Sequence, residues 1–148
     1  MANVVVGQEA PDFTLKDETN QEVTLSSLRG KPVVLVFYPL DFSPICTSEM
    51  CAYRDDLSLF EGKGARIFGI SRDSTWTHRA FKEKEGLKHR LLADMKGTVA
   101  QLYGCWNEAA GIAERLTVVI DSAGKITYVE HNSPAQIRDQ KKALAALA

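Results

Sequence analysis

The chain has 148 residues, 45% hydrophobic and 25% charged, with a formal net charge of -1 at pH 7. That balance is ordinary for a globular protein and leaves no basic footprint for nucleic acid or an anionic membrane surface. The length suits one domain over residues 1–148, able to bury roughly two-thirds of its unfolded surface.

Met1–Gly7 has neither a basic n-region nor a long apolar stretch, so no signal peptide is expected. Gly7–Leu15 followed by Glu22–Leu25 predicts a short hairpin that turns over Asp17–Asn20. Val33–Tyr38 is an unbroken apolar run, the kind buried on both faces of an α/β sheet and far too short to span a bilayer. A helix follows from Pro44 to about Phe60 and stops near Gly62 and Gly64, and Arg66–Ser71 is the next strand. Ser74 caps a helix running to about Lys84, with Lys82–Glu85 as a solvated face. Leu91 and Leu92 suggest a short strand, and Thr98–Tyr103 a helix. Leu116–Ile120 and Ile126–Val129 flank the turn sequence Asp121–Gly124, and Pro134–Ala148, rich in Ala, Leu and Lys, reads as a closing helix. The order predicts an α/β fold with a mixed central sheet, helices on both of its faces and an N-terminal hairpin. It is compatible with a thioredoxin-like architecture.

The segment Pro39–Cys46 stands where the buried strand gives way to a turn and a helix. Ser43 suits the N-cap, and Pro44 the first helical position, where its missing N–H goes unused. Cys46 then lies in the first turn, beneath free backbone N–H groups and the positive end of the helix dipole. Both favour the thiolate, the reactive form of the side chain. A free cysteine is also among the residues most often buried and inert, but the Ser-Pro cap argues for activation. Cys46, Met50, Tyr53, Leu57 and Phe60 make one apolar stripe, so Cys46 faces the body of the protein. Cys51 lies five residues on, about 140° around the helix and roughly 8–9 Å away between Cα atoms. That exceeds the ~7 Å reach of a disulfide, so the two cannot bridge while the helix is intact.

Pro39, Ser43 and Cys46 fit the pattern P-x-x-x-[T/S]-x-x-C, and by it the chain resembles the peroxiredoxins, also called thiol-specific antioxidant proteins. The likeness extends over nearly the whole chain. It takes in the Gly7–Leu15 opening, Glu49 three residues after the cysteine, and Arg115 before the strand Leu116–Ile120. Tyr103–Arg115 and Ile137–Gln140 look most like the AhpE-type branch, whose members often carry the peroxidatic cysteine alone. The Cys46-x4-Cys51 spacing resembles the bacterioferritin-comigratory, or PrxQ, branch, whose resolving cysteine shares the helix.

The resemblance implies a thioredoxin-like fold and a thiol-dependent peroxidase that reduces hydrogen peroxide and organic hydroperoxides without metal, haem or flavin. Cys46 would attack the peroxide and become a sulfenic acid, with Arg115 stabilising the thiolate and the charge developing on the peroxide oxygens. Ser43, in place of the more usual threonine, would orient the substrate, and Pro39 would shape and shield the pocket. Cys51 would resolve the sulfenic acid as an intramolecular disulfide, with thioredoxin or a comparable dithiol as reductant. The alternative is a single-cysteine peroxidase recycled by a low-molecular-weight thiol or a glutaredoxin-like protein, with Cys51 an ordinary helix residue. Glu49 would anchor the local network. As an anion it disfavours a thiolate beside it unless a cation pairs with it.

The remaining residues carry blander expectations. Cys105, at a predicted helix end, reads as packing, and Arg115 on its own could be a strand-edge charge. His78, His89 and His131 read as solvated or locally bonded side chains, with no metal assigned. Phe42, Tyr103 and Trp106 are candidates for the core or for a homodimer contact that the resemblance implies. Three cysteines, an odd count, point to a reducing cytoplasm. A disulfide oxidoreductase would need a C-x-x-C pair, and position 43 is serine. A non-catalytic redox sensor is the other rival class.

Overall fold

A computed structural model describes residues 3–147. Val33–Phe37, the apolar run, is strand β3 and every residue of it is buried. Its alternating side chains split cleanly. Val33, Leu35 and Phe37 enter one core cluster, and Val34, Val36 and the following Tyr38 enter another on the opposite face. Burying each such side chain contributes roughly 1.5–3 kcal/mol, so this strand anchors both layers.

Seven strands form one mixed sheet in the order β2-β1-β5-β4-β3-β8-β9. They are β1 (Thr14–Asp17), β2 (Glu22–Thr24), β3, β4 (Arg66–Ser71), β5 (Arg90–Ala93), β8 (Arg115–Ile120) and β9 (Ile126–Asn132). Strand β3 pairs parallel with β4, Leu35 opposite Phe68, and antiparallel with β8, Leu35 opposite Val118. The long helix α1 (Pro44–Glu61) packs on one face with α2 (Thr75–Glu85) and α4 (Gln140–Ala145), while α3 (Thr98–Tyr103) covers the other. A two-stranded ribbon, β6 (Trp106–Asn107) with β7 (Ile112–Ala113), and a 3-10 turn at Leu25–Leu28 were not anticipated.

Most predicted elements stand where the sequence put them, including the hairpin and the Ser74 cap, whose side chain accepts from the Thr77 N–H. In α1, Cys46, Met50, Tyr53 and Phe60 are buried as the stripe requires, and Leu57 is half-buried. Gly69 lets this helix come close. A Cβ there would meet the Leu91 side chain at 2.8 Å and the Met50 Sδ at 3.3 Å.

The closing helix is a correction. Only Gln140–Ala145 is helical; residues 134–139 are irregular, and Ala148 lies outside the described residues. The cause is polar. The Pro134 carbonyl accepts from Arg115 and the Arg138 N–H donates to Glu49, bonds that a continuous helix would forfeit. Asp139 then caps the shortened helix by accepting from the Lys141 N–H.

Candidate active site

Cys46 is the third residue of α1 and is completely buried. The helix's first backbone bond runs from the Thr47 N–H to the Ser43 carbonyl at 2.9 Å. Among the described residues the N–H groups of Ile45 and Cys46 find no partner, so the helix start keeps two donors free in the turn that holds the thiol. Ser43 occupies the N-cap with extended backbone, φ -68° and ψ 147°, but its side chain does not cap. Its hydroxyl instead donates to the Leu40 carbonyl at 2.8 Å. The reason is the tight loop before it, where Phe42 takes a left-handed φ of +69° and the Leu40 carbonyl lies within reach of Ser43. Pro39 is buried two residues past the end of β3.

Because β8 lies alongside β3, its first residue is delivered to the same sheet end from which the chain enters α1. That residue is Arg115, 2% exposed, whose Nη1 donates to Cys46 Sγ at 3.2 Å and to Glu49 Oε1 at 2.7 Å. Its Nε donates to the Pro134 carbonyl at 2.9 Å, which fixes the guanidinium plane.

Glu49, one turn after Cys46, holds a second arginine as well. Arg138 donates its backbone N–H and Nε to Oε2 at 2.8 and 3.0 Å, and Nη2 to Oε1 at 2.8 Å. Its Nη1 donates to the Thr117 hydroxyl at 3.1 Å. The cation that Glu49 needed is therefore present twice. Two guanidiniums and one carboxylate leave one positive charge over in a buried site, and a thiolate at Cys46 completes a neutral set. The sequence had Arg138 within its Ile137–Gln140 likeness but assigned it no role. The available signal was the unpaired carboxylate at Glu49.

Cys51 is half-buried and turned toward α2, where its thiol donates to Glu85 Oε1 at 3.5 Å. Burial pushes this thiol up and the Glu85 carboxylate adds to it, against the pull of Arg54. Glu85 is thus half-buried and engaged with Cys51, not part of a solvated face, and Lys82 is tied to Glu18 at 3.1 Å. Cys105 lies in the core on the far side of the sheet, 1% exposed, its thiol pushed up to about 12 by burial. All three cysteines are free.

Of the histidines expected to be solvated or locally bonded, His78 and His131 are hydrogen-bonded, and His89 meets only Met50 Sδ. His78 and His89 are buried, and only His131 is half-exposed, bonded to Glu114 at 2.8 Å. Of the aromatic interface candidates, Tyr103 is fully buried and Trp106 half-buried, whereas Phe42 is 46% exposed.

The AhpC/TSA family model matches residues 6–129 of the chain. Alkyl hydroperoxide reductase E of Mycobacterium tuberculosis is 45% identical over 148 residues, covering 96% of this chain and 97% of that protein. Chloroplastic peroxiredoxin Q of Suaeda salsa is 41% identical, covering 89% of this chain and 62% of that one. The crystal structure of peroxidoxin BcpB from Mycobacterium tuberculosis superposes with a TM-score of 0.87 at 36% identity, over 96% of this chain and 95% of the other. The sheet and its helices are therefore the thioredoxin-like peroxiredoxin fold. With a buried cysteine at a helix start and an arginine on its sulfur, the chain belongs to the AhpC/TSA family and is a peroxiredoxin, a thiol peroxidase.

Proposed function

We propose that Cys46 is the peroxidatic thiolate and that its substrates are hydrogen peroxide and organic hydroperoxides. The sulfur attacks one peroxide oxygen, the O–O bond breaks, and the other oxygen leaves as water or an alcohol once protonated. Cys46 is left as a sulfenic acid. The observation that carries this is the Arg115 Nη1 contact on Cys46 Sγ at 3.2 Å. The same fixed charge stabilises the negative charge that builds on the peroxide oxygens. Ser43 orients the peroxide through its hydroxyl, whose own hydrogen is directed at Leu40 and whose lone pairs stay available. Pro39 walls the pocket against water.

In the second step Cys51 condenses with the sulfenic acid, forming a disulfide and releasing water. Thioredoxin or a comparable dithiol then reduces it. The first turns of α1 unwind for this step, since the thiols lie five residues apart in an intact helix and Cys51 is held by Glu85. That same hold on Cys51 favours a second reading, in which Cys46 alone is oxidised and a low-molecular-weight thiol or glutaredoxin-like protein recycles it. The proposal includes a reducing compartment such as the cytoplasm, where free thiols persist. It also includes a homodimer, for which the exposed Phe42 and Trp76 offer apolar surface.

Peroxide turnover with thioredoxin and with small thiols, measured side by side, tests the scheme. Cys46→Ser abolishes turnover with either reductant. Cys51→Ser loses thioredoxin-supported turnover while its first oxidation proceeds at the wild-type rate. Equal thioredoxin turnover in Cys51→Ser would overturn Cys51 as the resolving thiol, and turnover with small thiols but not thioredoxin in wild type would establish the single-cysteine scheme instead.

A further inference from the structure

Behind the loop that leads into α1 lies a buried polar cluster with no part in the chemistry so far described. Asp41, in the middle of that loop, is 7% exposed, and its Oδ2 lies 2.6 Å from His78 Nδ1 on α2. His78 is completely buried, and its Nε2 faces the Leu92 carbonyl of β5 at 2.9 Å. A carbonyl can only accept, so Nε2 carries hydrogen, and a single proton is left to join Nδ1 and Oδ2. Tyr38, the last residue of the apolar run, donates its hydroxyl to Asp41 Oδ1 at 2.5 Å. Asp73, before α2, accepts from the Asp41 N–H at 2.8 Å and from the Ser71 hydroxyl at 2.5 Å.

Asp41, Asp73 and His78 bring their ligand atoms within 4.8 Å of one another, a spacing that would suit a metal ion. Each of these side chains is already satisfied by a hydrogen bond, so the cluster reads as a clamp. What it clamps is a strained loop. Phe42, next to Asp41, holds its φ of +69° with its ring against Phe81 of α2, centroids 5.1 Å apart. A left-handed non-glycine residue is strained and persists only where its surroundings fix it.

We propose that His78, acting through Asp41, is a positioning residue of the peroxide reaction, fixing the loop Leu40–Ser43 in the shape that presents Ser43 to the peroxide. His78 touches neither the thiol nor the substrate. Its effect passes through the Asp41 carboxylate to the backbone that sets where the Ser43 hydroxyl stands. The inference rests on Cys46 as the thiol that meets peroxide. Alkylation of that same thiol is the reference reaction, since it needs the sulfur but not the loop.

The experiment measures two second-order rates at Cys46, oxidation by hydrogen peroxide and alkylation by iodoacetamide, and takes their ratio. In His78→Leu the ratio falls by about tenfold or more, the size expected for a misplacement of a fraction of an ångström to one ångström. Asp41→Ala gives the same fall and serves where His78→Leu does not fold. Asp41→Asn, which can still donate to a neutral His78 Nδ1 and accept from Tyr38, retains most of the ratio. A merely structural role lowers stability and leaves the ratio unchanged, so a wild-type ratio in a folded His78→Leu or Asp41→Ala protein overturns the inference. Persistence of peroxide reduction in Cys46→Ser would instead overturn the assignment of the reacting thiol.

Discussion

Among the described residues no carboxylate is bonded to the Cys46 sulfur, and Glu49, one turn on, is held by four donors, one from Arg115 and three from Arg138. The pairing decides the electrostatic sign of the site. Glu49 orients two guanidiniums without leaving a net negative charge, and the leftover positive charge belongs to the sulfur. His89 illustrates the opposite treatment of a buried ionisable group. It is 3% exposed, its Nδ1 has no hydrogen-bond partner, and its Nε2 meets only Met50 Sδ at 3.5 Å. Burial, with Lys82 adding to it, lowers its titration to about 3. The unfolded chain therefore takes up a proton below about pH 6.5 that the folded chain refuses until pH approaches about 3. Stability contributed by this group is present above pH 6.5 and is lost as pH falls, by about 1.4 kcal/mol per unit at the steepest. Urea unfolding checks this. Between about pH 6.5 and pH 5, His89→Leu loses roughly 1.5 kcal/mol less stability than wild type. Equal losses in the two proteins would contradict the neutral, buried assignment.

Helix α1 carries both thiols of the proposed cycle, and α2 holds each end of the region that has to move. Near its start α2 grips the loop before Cys46 through His78, and its last residue, Glu85, bonds Cys51. Removing that carboxylate takes away one of the causes that push the Cys51 thiol up. In a Cys46→Ser background, Glu85→Ala raises the iodoacetamide labelling rate of Cys51 at neutral pH by about two- to fivefold, through a larger thiolate fraction. An unchanged or slower rate would show that Glu85 does not restrain this thiol. These contacts between elements were the least legible part of the chain. Strand β3, the α1 stripe and the Ser74 cap are local patterns, written in neighbouring residues. The irregular Pro134–Asp139 segment is set by Arg115 and Glu49, and His78 is buried because Asp41, 37 residues away, receives it. No window of sequence contains both partners. Cys46, Ser43 and Pro39 were singled out through the motif and Arg115 through the wider likeness, whereas the spending of the Ser43 hydroxyl on Leu40 follows from the left-handed backbone at Phe42.

The sheet as a whole sorts the three thiols. Cys46 belongs to the cluster under α1, α2 and α4, with Cys51 packed at its edge, and Cys105 sits in the cluster on the other face. A layer of buried strands separates Cys46 from Cys105, and Cys51 is the other cysteine on its side, so the proposed oxidation of Cys46 has Cys51 as its neighbour. The proposed cycle makes two demands of the fold in turn, an ordered first turn of α1 for the peroxide step and an opened one for the disulfide. Intact mass after one equivalent of hydrogen peroxide reads both together. Wild type loses about two mass units, for a single disulfide, while Cys51→Ser gains about 16 as the sulfenic acid forms and about 32, as sulfinic acid, only with a second equivalent, and Cys46→Ser stays unchanged. A wild-type protein that gains oxygen and forms no disulfide would contradict the two-cysteine cycle. Oxygen gain in Cys46→Ser at the wild-type rate would contradict Cys46 as the site of reaction.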